Sequence, residues 1–94
     1  FYSGVFIFES TISGNTAGDE GGGIFFYDND GDAALTIESS TISGNTAATD
    51  GGGIWFYSSD GPLVLKNSTV SGNTATTGDG GGVFIDDNTE TVQF

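Results

Sequence analysis

The chain has 94 residues, 17 of them glycine, and its thirteen carboxylates outnumber a single basic residue, Lys66, for a formal net charge of −12. Nucleic-acid binding needs a basic surface, and zinc sites, haem sites, disulfides and Ser-His-Asp triads need Cys or His, which the chain lacks. No apolar run approaches the roughly 20 residues of a membrane-spanning helix. The composition therefore excludes these classes, and the length fits one domain.

Short apolar segments alternate with turn residues along the whole chain. In chain order they are VFIF at 5–8, IFFY at 24–27, ALTI at 34–37, IWFY at 54–57, LVLK at 63–66, VFI at 83–85 and TVQF at 91–94. They are rich in β-branched and aromatic residues, and no stretch shows a helical period of 3.6 residues. We therefore predict an all-β fold built from short strands.

An internal repeat organises these segments. STISGNTA occurs at 10–17 and again at 40–47, and STVSGNTA occurs at 68–75. Each copy is followed by an acidic loop, a glycine triplet and an apolar strand, so one unit of 28–30 residues holds three short strands. This arrangement is typical of one coil of a parallel β-helix, and parallel crossovers are nearly always right-handed.

We predict a single right-handed parallel β-helix domain over residues 1–94, with about three coils and repeats at about 10–39, 40–67 and 68–94. Like residues of successive coils then stack in columns along the helix axis. The columns predicted to face the interior are Val5/Leu35/Leu63, Ile7/Ile37/Leu65, Ile12/Ile42/Val70, Ile24/Ile54/Val83 and Phe26/Phe56/Ile85. The columns predicted to face outward are Phe25/Trp55/Phe84 and Tyr27/Tyr57.

Two turn columns have a physical reason for their residue type. Gly14, Gly44 and Gly72 are predicted to adopt a positive φ that other residues resist. Asn15, Asn45 and Asn73 are predicted to form an amide ladder, in which each side chain hydrogen-bonds to the Asn of the neighbouring coil.

These residues resemble the repeats of polymorphic outer membrane proteins and related bacterial surface proteins. Gly22-Gly23-Ile24 and its two later copies resemble the GGAI motif of that family, and Ile12-Ser13-Gly14-Asn15 and its copies resemble the FxxN motif, with Ile or Val in place of Phe. The resemblance covers nearly the whole chain. It implies a pectate-lyase-like right-handed β-helix at or outside a cell surface, and it says little about function.

The chain offers no convincing catalytic set. Polysaccharide lyases of the resembled fold use a calcium cluster and an Arg or Lys base, but arginine is absent and Lys66 lies in a predicted strand. An inverting glycosidase needs two carboxylates roughly 6.5–9.5 Å apart, yet the carboxylates are spread over repeated turns. We therefore expect that the protein is not an enzyme.

One acidic segment has the pattern of a metal-binding loop. Asp28, Asp30 and Asp32 lie in a DNDGD segment that resembles the start of a calcium-binding loop. The bidentate Glu of such a loop is missing, so we favour a polar turn and keep calcium binding as the alternative. Calcium is the one cofactor that the sequence suggests. A second acidic column, Glu20/Asp50/Asp79, precedes the glycine triplets, and its charges repel one another unless calcium, salt or splayed side chains relieve them.

The outward aromatic ladder formed by Phe25, Trp55, Phe84, Tyr27 and Tyr57 is the most distinctive surface feature. A contiguous aromatic patch is rare on a solvated surface. Lateral packing against another subunit, stacking on sugar rings and burial under a further segment all fit, as does a reversal of the inward and outward faces. We rank packing first, because sugar sites add placed polar groups.

The functional expectation follows from the repeats and from apolar strands at both ends without a capping element. We expect an extracellular or cell-surface structural repeat module, either an excerpt of a longer β-helix or a subunit that polymerises, which forms a stalk, adhesin or fibre. Its expected partners are copies of itself or flanking coils. The alternative is a carbohydrate-binding or carbohydrate-cleaving module with glycan partners. Asn67-Ser68-Thr69 also matches the N-glycosylation pattern.

Overall fold

The computed structural model describes residues 4–28, 33–58, 61–86 and 92–93, and the described chain contains strands and turns only. The strands are β1 (Gly4–Phe8), β2 (Thr11–Ser13), β3 (Thr16–Ala17), β4 (Ile24–Asp28), β5 (Ala34–Glu38), β6 (Thr41–Ser43), β7 (Thr46–Ala47), β8 (Ile54–Ser58), β9 (Leu63–Lys66), β10 (Thr69–Ser71), β11 (Thr74–Ala75), β12 (Val83–Asp86) and β13 (Val92–Gln93). Within these ranges there is no helix of the length and apolar character needed to cross a membrane.

Every strand pairs in parallel with the equivalent strand of the neighbouring repeat. One sheet has the order β1-β5-β9-β13, and the other three have the orders β10-β6-β2, β11-β7-β3 and β12-β8-β4. The register follows the sequence repeat, so that Val5 lies opposite Leu35 and Leu35 opposite Leu63. The fold is the predicted parallel β-helix of about three coils. We call these the N-terminal coil (4–28), the central coil (33–58) and the C-terminal coil (61–86).

Each coil has four strands, so the prediction of three strands per coil is wrong. The additional strand is the two-residue segment after the repeated Asn, such as Thr46–Ala47. It forms because the backbone resumes pairing with the neighbouring coil directly after the turn: Thr46 N donates to Asn15 O at 2.8 Å, and Thr74 N donates to Asn45 O at 2.8 Å. A two-residue strand carries too little sequence pattern to be recognised by alternation.

The core lies inside the coils and consists of the predicted interior columns. Its buried members are Leu35, Ile37, Ile42, Ile54, Phe56, Leu63 and Leu65, with Ile7, Ile12, Ile24, Phe26, Val70 and Val83 packed against them. The rings of Phe26 and Phe56 stack with centroids 5.1 Å apart. Alternate residues of a strand point to opposite faces, so this core confirms the predicted inward face of each long strand.

Equivalent positions of the three coils differ in burial. Leu35 and Phe56 are fully buried, whereas Val5 and Ile85, in the same columns on the outer coils, are 46% and 36% exposed. The difference arises because a residue of the central coil is covered from both sides along the axis. Val5 and Ile85 are covered by a described coil on one side only, whereas Leu63 of the C-terminal coil pairs with Leu35 on one side and with Val92 of β13 on the other, and it is fully buried.

Three glycines form tight turns with left-handed backbone. Gly14, Gly44 and Gly72 have φ values of 68°, 63° and 62°, which confirms the predicted positive φ. A second turn column uses non-glycine residues, since Glu9, Ser39 and Asn67 have φ values of 48°, 53° and 50°. This strained column could not be predicted, because its three residues differ in type.

Candidate functional site

The asparagine ladder joins all three coils. Nδ2 of Asn15 donates to Oδ1 of Asn45 at 3.0 Å, and Nδ2 of Asn45 donates to Oδ1 of Asn73 at 3.0 Å. The backbone N–H groups of Asn15 and Asn45 also donate to the same acceptors, both at 2.9 Å. Asn45 is fully buried, so the ladder satisfies polar groups that water does not reach.

A second polar ladder runs beside it and was not predicted. Ser10 N donates to Oγ of Ser40 at 3.1 Å, and Ser40 N donates to Oγ of Ser68 at 3.2 Å. Each hydroxyl donates in turn to the carbonyl two residues earlier, as Ser40 does to Glu38 O at 2.9 Å. The recurring Ser directly before β2, β6 and β10 was its only sequence signal. Both ladders thus join successive coils by hydrogen bonds between polar groups.

The aromatic ladder lies on the outer face of β4, β8 and β12. The rings of Phe25 and Trp55 stack with centroids 4.6 Å apart and planes 5° apart, and those of Tyr27 and Tyr57 stack at 4.8 Å and 14°. Phe84 continues the first column, in register with Trp55. The centroid spacing equals the strand spacing of a sheet. The faces of stacked rings are therefore turned toward the neighbouring coil, along the helix axis.

Trp55 is an outward residue that is nevertheless buried, with 5% exposure, while Phe25 and Tyr27 remain 54% and 56% exposed. Its ring lies 6.3 Å from Tyr27 and 6.2 Å from Tyr57, in addition to the Phe25 stack. Within the described part of the chain, its Nε1 is buried without a hydrogen-bond acceptor. The aromatic ladder is therefore exposed at Phe25 and Tyr27 and buried at Trp55.

The last glycine of each of the first two triplets lies at a close approach of two coils. A β-carbon on Gly53 would lie 2.5 Å from Gly82 O and 3.0 Å from Nδ2 of Asn73, both in the next coil. A β-carbon on Gly23 would meet Gly53 O at 2.8 Å. On Gly82 the nearest atom among the described residues would be Cγ1 of Val70, at 3.5 Å, which is an ordinary van der Waals contact. Glycine is thus required sterically wherever a further coil follows.

The acidic column also lies along the axis. Gly21 N donates to Asp50 O and Gly51 N donates to Asp79 O, both at 3.0 Å, so the residues before these glycines stack. Partial burial raises the pKa of Glu20 above its ordinary 4.5, and the carboxylates of Asp19, Asp50 and Asp86 raise it further. Oδ1 of Asp50 accepts from Asp79 N at 2.7 Å, which occupies one carboxylate oxygen.

The predicted calcium ligands are only partly described. Oδ2 of Asp28 accepts a hydrogen bond from Ala33 N at 3.0 Å, which is a turn-stabilising contact. Asp30 and Asp32 lie outside the described residues. Among the residues that are described, no group of three acidic side chains is arranged to hold a metal ion. Calcium binding stays a prediction.

The C-terminal coil carries an open cavity of about 440 Å³ at the end of the stack. It is lined by Leu65, Asn67, Ser68, Val70, Gly82 and Val83, which include three interior columns. Asn67, the residue of the N-glycosylation pattern, is exposed in the positive-φ turn beside it. The cavity corresponds to the space that the next coil fills elsewhere in the stack.

Comparison with known proteins identifies the fold family. The family model described as a right-handed beta helix region matches residues 2–75. No curated protein and no solved structure matches the chain significantly. The narrower resemblance to polymorphic outer membrane proteins and pectate lyases stays a prediction. With four parallel sheets in register and a match over most of its length, the chain belongs to the right-handed β-helix family.

Proposed function

We propose that this β-helix is an extracellular structural repeat module, a segment of a surface stalk, adhesin or fibre that is lengthened by stacking further coils. The observation that carries the proposal is the difference in burial between equivalent positions. Leu35 and Phe56 in the central coil are fully buried, while Val5 and Ile85 expose apolar surface at the two ends of the stack. A further coil would cover those positions as the neighbouring coils cover the central one.

The aromatic ladder supports the same function. In the Phe25–Trp55 stack the ring faces are turned along the axis, and Trp55 is already buried within the chain, with 5% exposure. A sugar ring binds an aromatic side chain through its face, so the sides of this ladder offer ring edges rather than binding platforms. The ladder therefore adds stacking energy between coils, about 0.5–1.5 kcal/mol for each aromatic pair.

The proposal is tested by adding a coil. We would insert a second copy of residues 40–67 directly after Asn67, which preserves the repeat register. We expect the melting temperature to rise by at least about 5 °C, since roughly 1 kcal/mol shifts a domain of this size by that amount. Small-angle scattering should show a molecule longer by about 4.8 Å, one strand spacing.

The matched control is the same insertion with Ile42→Asp in the added coil only. It has the same length but buries a carboxylate, so it should melt well below the insertion without the substitution. If the faithful insertion melts at or below the original chain, a coil is not an interchangeable structural unit and the proposal fails.

Carbohydrate binding is a second candidate, favoured by one observation. Phe25 and Tyr27 lie side by side, both more than half exposed, where the two aromatic columns end. A glycan array tests it. Binding that is lost in Phe25→Ala and Tyr27→Ala, with the melting temperature nearly unchanged, would favour a carbohydrate module over the structural one.

A further inference from the structure

We propose that the outer face of β2, β6 and β10 binds ice through a regular array of hydroxyl groups. The array, which we call the hydroxyl face, takes one threonine and one serine from each coil: Thr11, Thr41, Thr69, Ser13, Ser43 and Ser71. It lies along the side of the helix, so it is independent of what covers either end of the stack. The inference goes beyond the proposed function, because a structural module needs no ligand on this face.

The orientation of these side chains follows from the core. In each of the three strands an aliphatic residue stands between the threonine and the serine, and these aliphatic residues pack inside the coils. Ile42, in the central coil, is fully buried. Alternate residues of a strand point to opposite faces, so the threonine and serine side chains point outward. None of the six is buried.

The array repeats evenly in two directions. Thr41 N donates to Ser10 O and Thr69 N donates to Ser40 O, both at 2.9 Å, so the two steps between coils are alike. Strand pairing places the hydroxyls about 4.8 Å apart along the axis, and two residues of a parallel strand place the columns about 6.6 Å apart. Water oxygens on a prism face of ice lie in a rectangular array with similar repeats in both directions. The hydroxyl oxygens therefore match successive positions of the ice lattice.

The hydroxyl groups of this face are available to a ligand. Within the described ranges, none of the six makes a hydrogen bond to another group of the protein. Hydroxyls elsewhere do so: Ser40 Oγ donates to Glu38 O at 2.9 Å, and Thr49 Oγ1 donates to Oδ1 of Asp19 at 3.0 Å. Because a hydroxyl both donates and accepts, it bonds to a lattice water of either orientation.

The hydroxyl face carries no charge, although the chain has thirteen carboxylates and one lysine. The next outward column along the coils, formed by Thr16, Thr46 and Thr74, is uncharged as well. A charged side chain holds its hydration shell strongly, and removing that shell is costly unless a counter-charge replaces it. Ice offers no counter-charge. An uncharged surface on a chain with a net charge of −12 therefore suits an uncharged crystalline partner.

The side chains of this face suit other partners poorly. It presents no aromatic ring on which a sugar could stack. It also lacks the large aromatic, methionine and arginine side chains that are enriched in the buried centre of protein interfaces. Small side chains with hydroxyl and methyl groups fit a flat, repeating layer of water better than a protein or glycan ligand.

Ice-affinity partitioning tests the proposal. Ice is grown slowly through a dilute solution of the protein and an unrelated acidic reference protein, and the enrichment of each in the ice is measured. Thr41→Lys places a charge at the centre of the hydroxyl face. Thr36→Lys is the matched control, with the same change in the same coil but on the outer face of β5, opposite Phe6.

We expect the unsubstituted chain and Thr36→Lys to be enriched in ice at least tenfold over the reference protein, and Thr41→Lys to fall to the level of the reference. Thr69→Lys, at an exposed position of the same column, should behave as Thr41→Lys does and guards against a folding defect in the central coil. Melting curves check that every variant is folded.

Three outcomes overturn the inference. Absence of enrichment of the unsubstituted chain contradicts ice binding, and equal enrichment of the Thr41→Lys and Thr36→Lys chains contradicts the hydroxyl face as its site. If the unsubstituted chain instead binds cellulose, or forms a dimer that Thr41→Lys abolishes, without enrichment in ice, the face belongs to a glycan or to a second copy. Each of these results leaves the structural module to be judged by the inserted coil.

Discussion

The side-chain amide of Asn45 donates to Oδ1 of Asn73 across 3.0 Å, in the fully buried centre of a ladder that crosses every coil. Asn45 also donates to Ile12 O at 3.1 Å and accepts from both nitrogens of Asn15. One side chain thus satisfies several buried polar groups at once. Each such group left unpaired costs about 1–3 kcal/mol.

Asn45→Ala should therefore lower the free energy of unfolding by about 3–5 kcal/mol, since it leaves several partners unpaired. Asn15→Ala is the matched control. Asn15 is exposed and supplies one side-chain hydrogen bond to the ladder, so its loss should cost about 1 kcal/mol. Urea unfolding measures both. Equal losses for the two variants would contradict a ladder whose strength depends on burial.

The sequence was sufficient to predict the register of this fold. Because STISGNTA recurs almost unchanged, aligning its copies placed Leu35 over Leu63 and Ile12 over Ile42, and the structure has both pairs. The glycine turn before each ladder Asn could be predicted for the same reason. Because the sequence repeats, strands that lie far apart along the chain can be paired by aligning short, nearly identical segments.

Three features could not be predicted, because they depend on neighbours in space rather than on periodicity. The two-residue strand at Thr46–Ala47 is too short to show alternation. Trp55 occupies an outward position and is nevertheless buried, in stacking contact with Phe25. The steric difference between Gly53 and Gly82 depends on whether a coil follows, while their local sequences are alike.

The close contact between Gly53 and the next coil gives a second prediction. Gly53→Ala should destabilise the fold by at least about 3 kcal/mol, because its β-carbon would press on a backbone oxygen and a buried amide that cannot move independently. Gly82→Ala should change stability by less than about 1 kcal/mol, since ordinary contact distance is preserved. Thermal unfolding measures both variants. A severe loss in Gly82→Ala would show that the C-terminal coil is already closely covered.

The acidic column gives a pH-dependent prediction. The pKa of Glu20 is raised by partial burial and then by neighbouring carboxylates, so the folded state holds its proton more tightly than the unfolded state. Glu20 therefore lowers stability at pH values above its folded-state pKa, and the loss fades as the pH falls toward 4.5. Glu20→Gln should raise the melting temperature at pH 7 in low salt. The gain should shrink at pH 4.5 and in 1 M salt; a gain independent of both would contradict a charge effect.

Substitutions of Asp28, at the end of β4, distinguish its role in a polar turn from a role as a calcium ligand. As a turn residue, Asp28 needs only an acceptor for Ala33 N. Asp28→Asn should then keep stability within about 0.5 kcal/mol, while Asp28→Ala should lose about 1 kcal/mol. EDTA should leave the melting temperature of the unsubstituted chain unchanged. A drop in EDTA that Asp28→Asn abolishes would favour the calcium loop instead.

Hydrogen exchange across the three coils measures most directly whether each coil is stabilised by a neighbour on both sides. Leu35 N donates to Pro62 O at 3.1 Å and Ile54 N donates to Gly82 O at 2.9 Å, both from the central coil, while Ile24 N and Thr74 N make equivalent bonds from the outer coils. We predict that the amides of Leu35 and Ile54 exchange at least tenfold more slowly than those of Ile24 and Thr74. Equal protection in all coils, or faster exchange in the central coil, would contradict the stacked-coil basis of the proposed function.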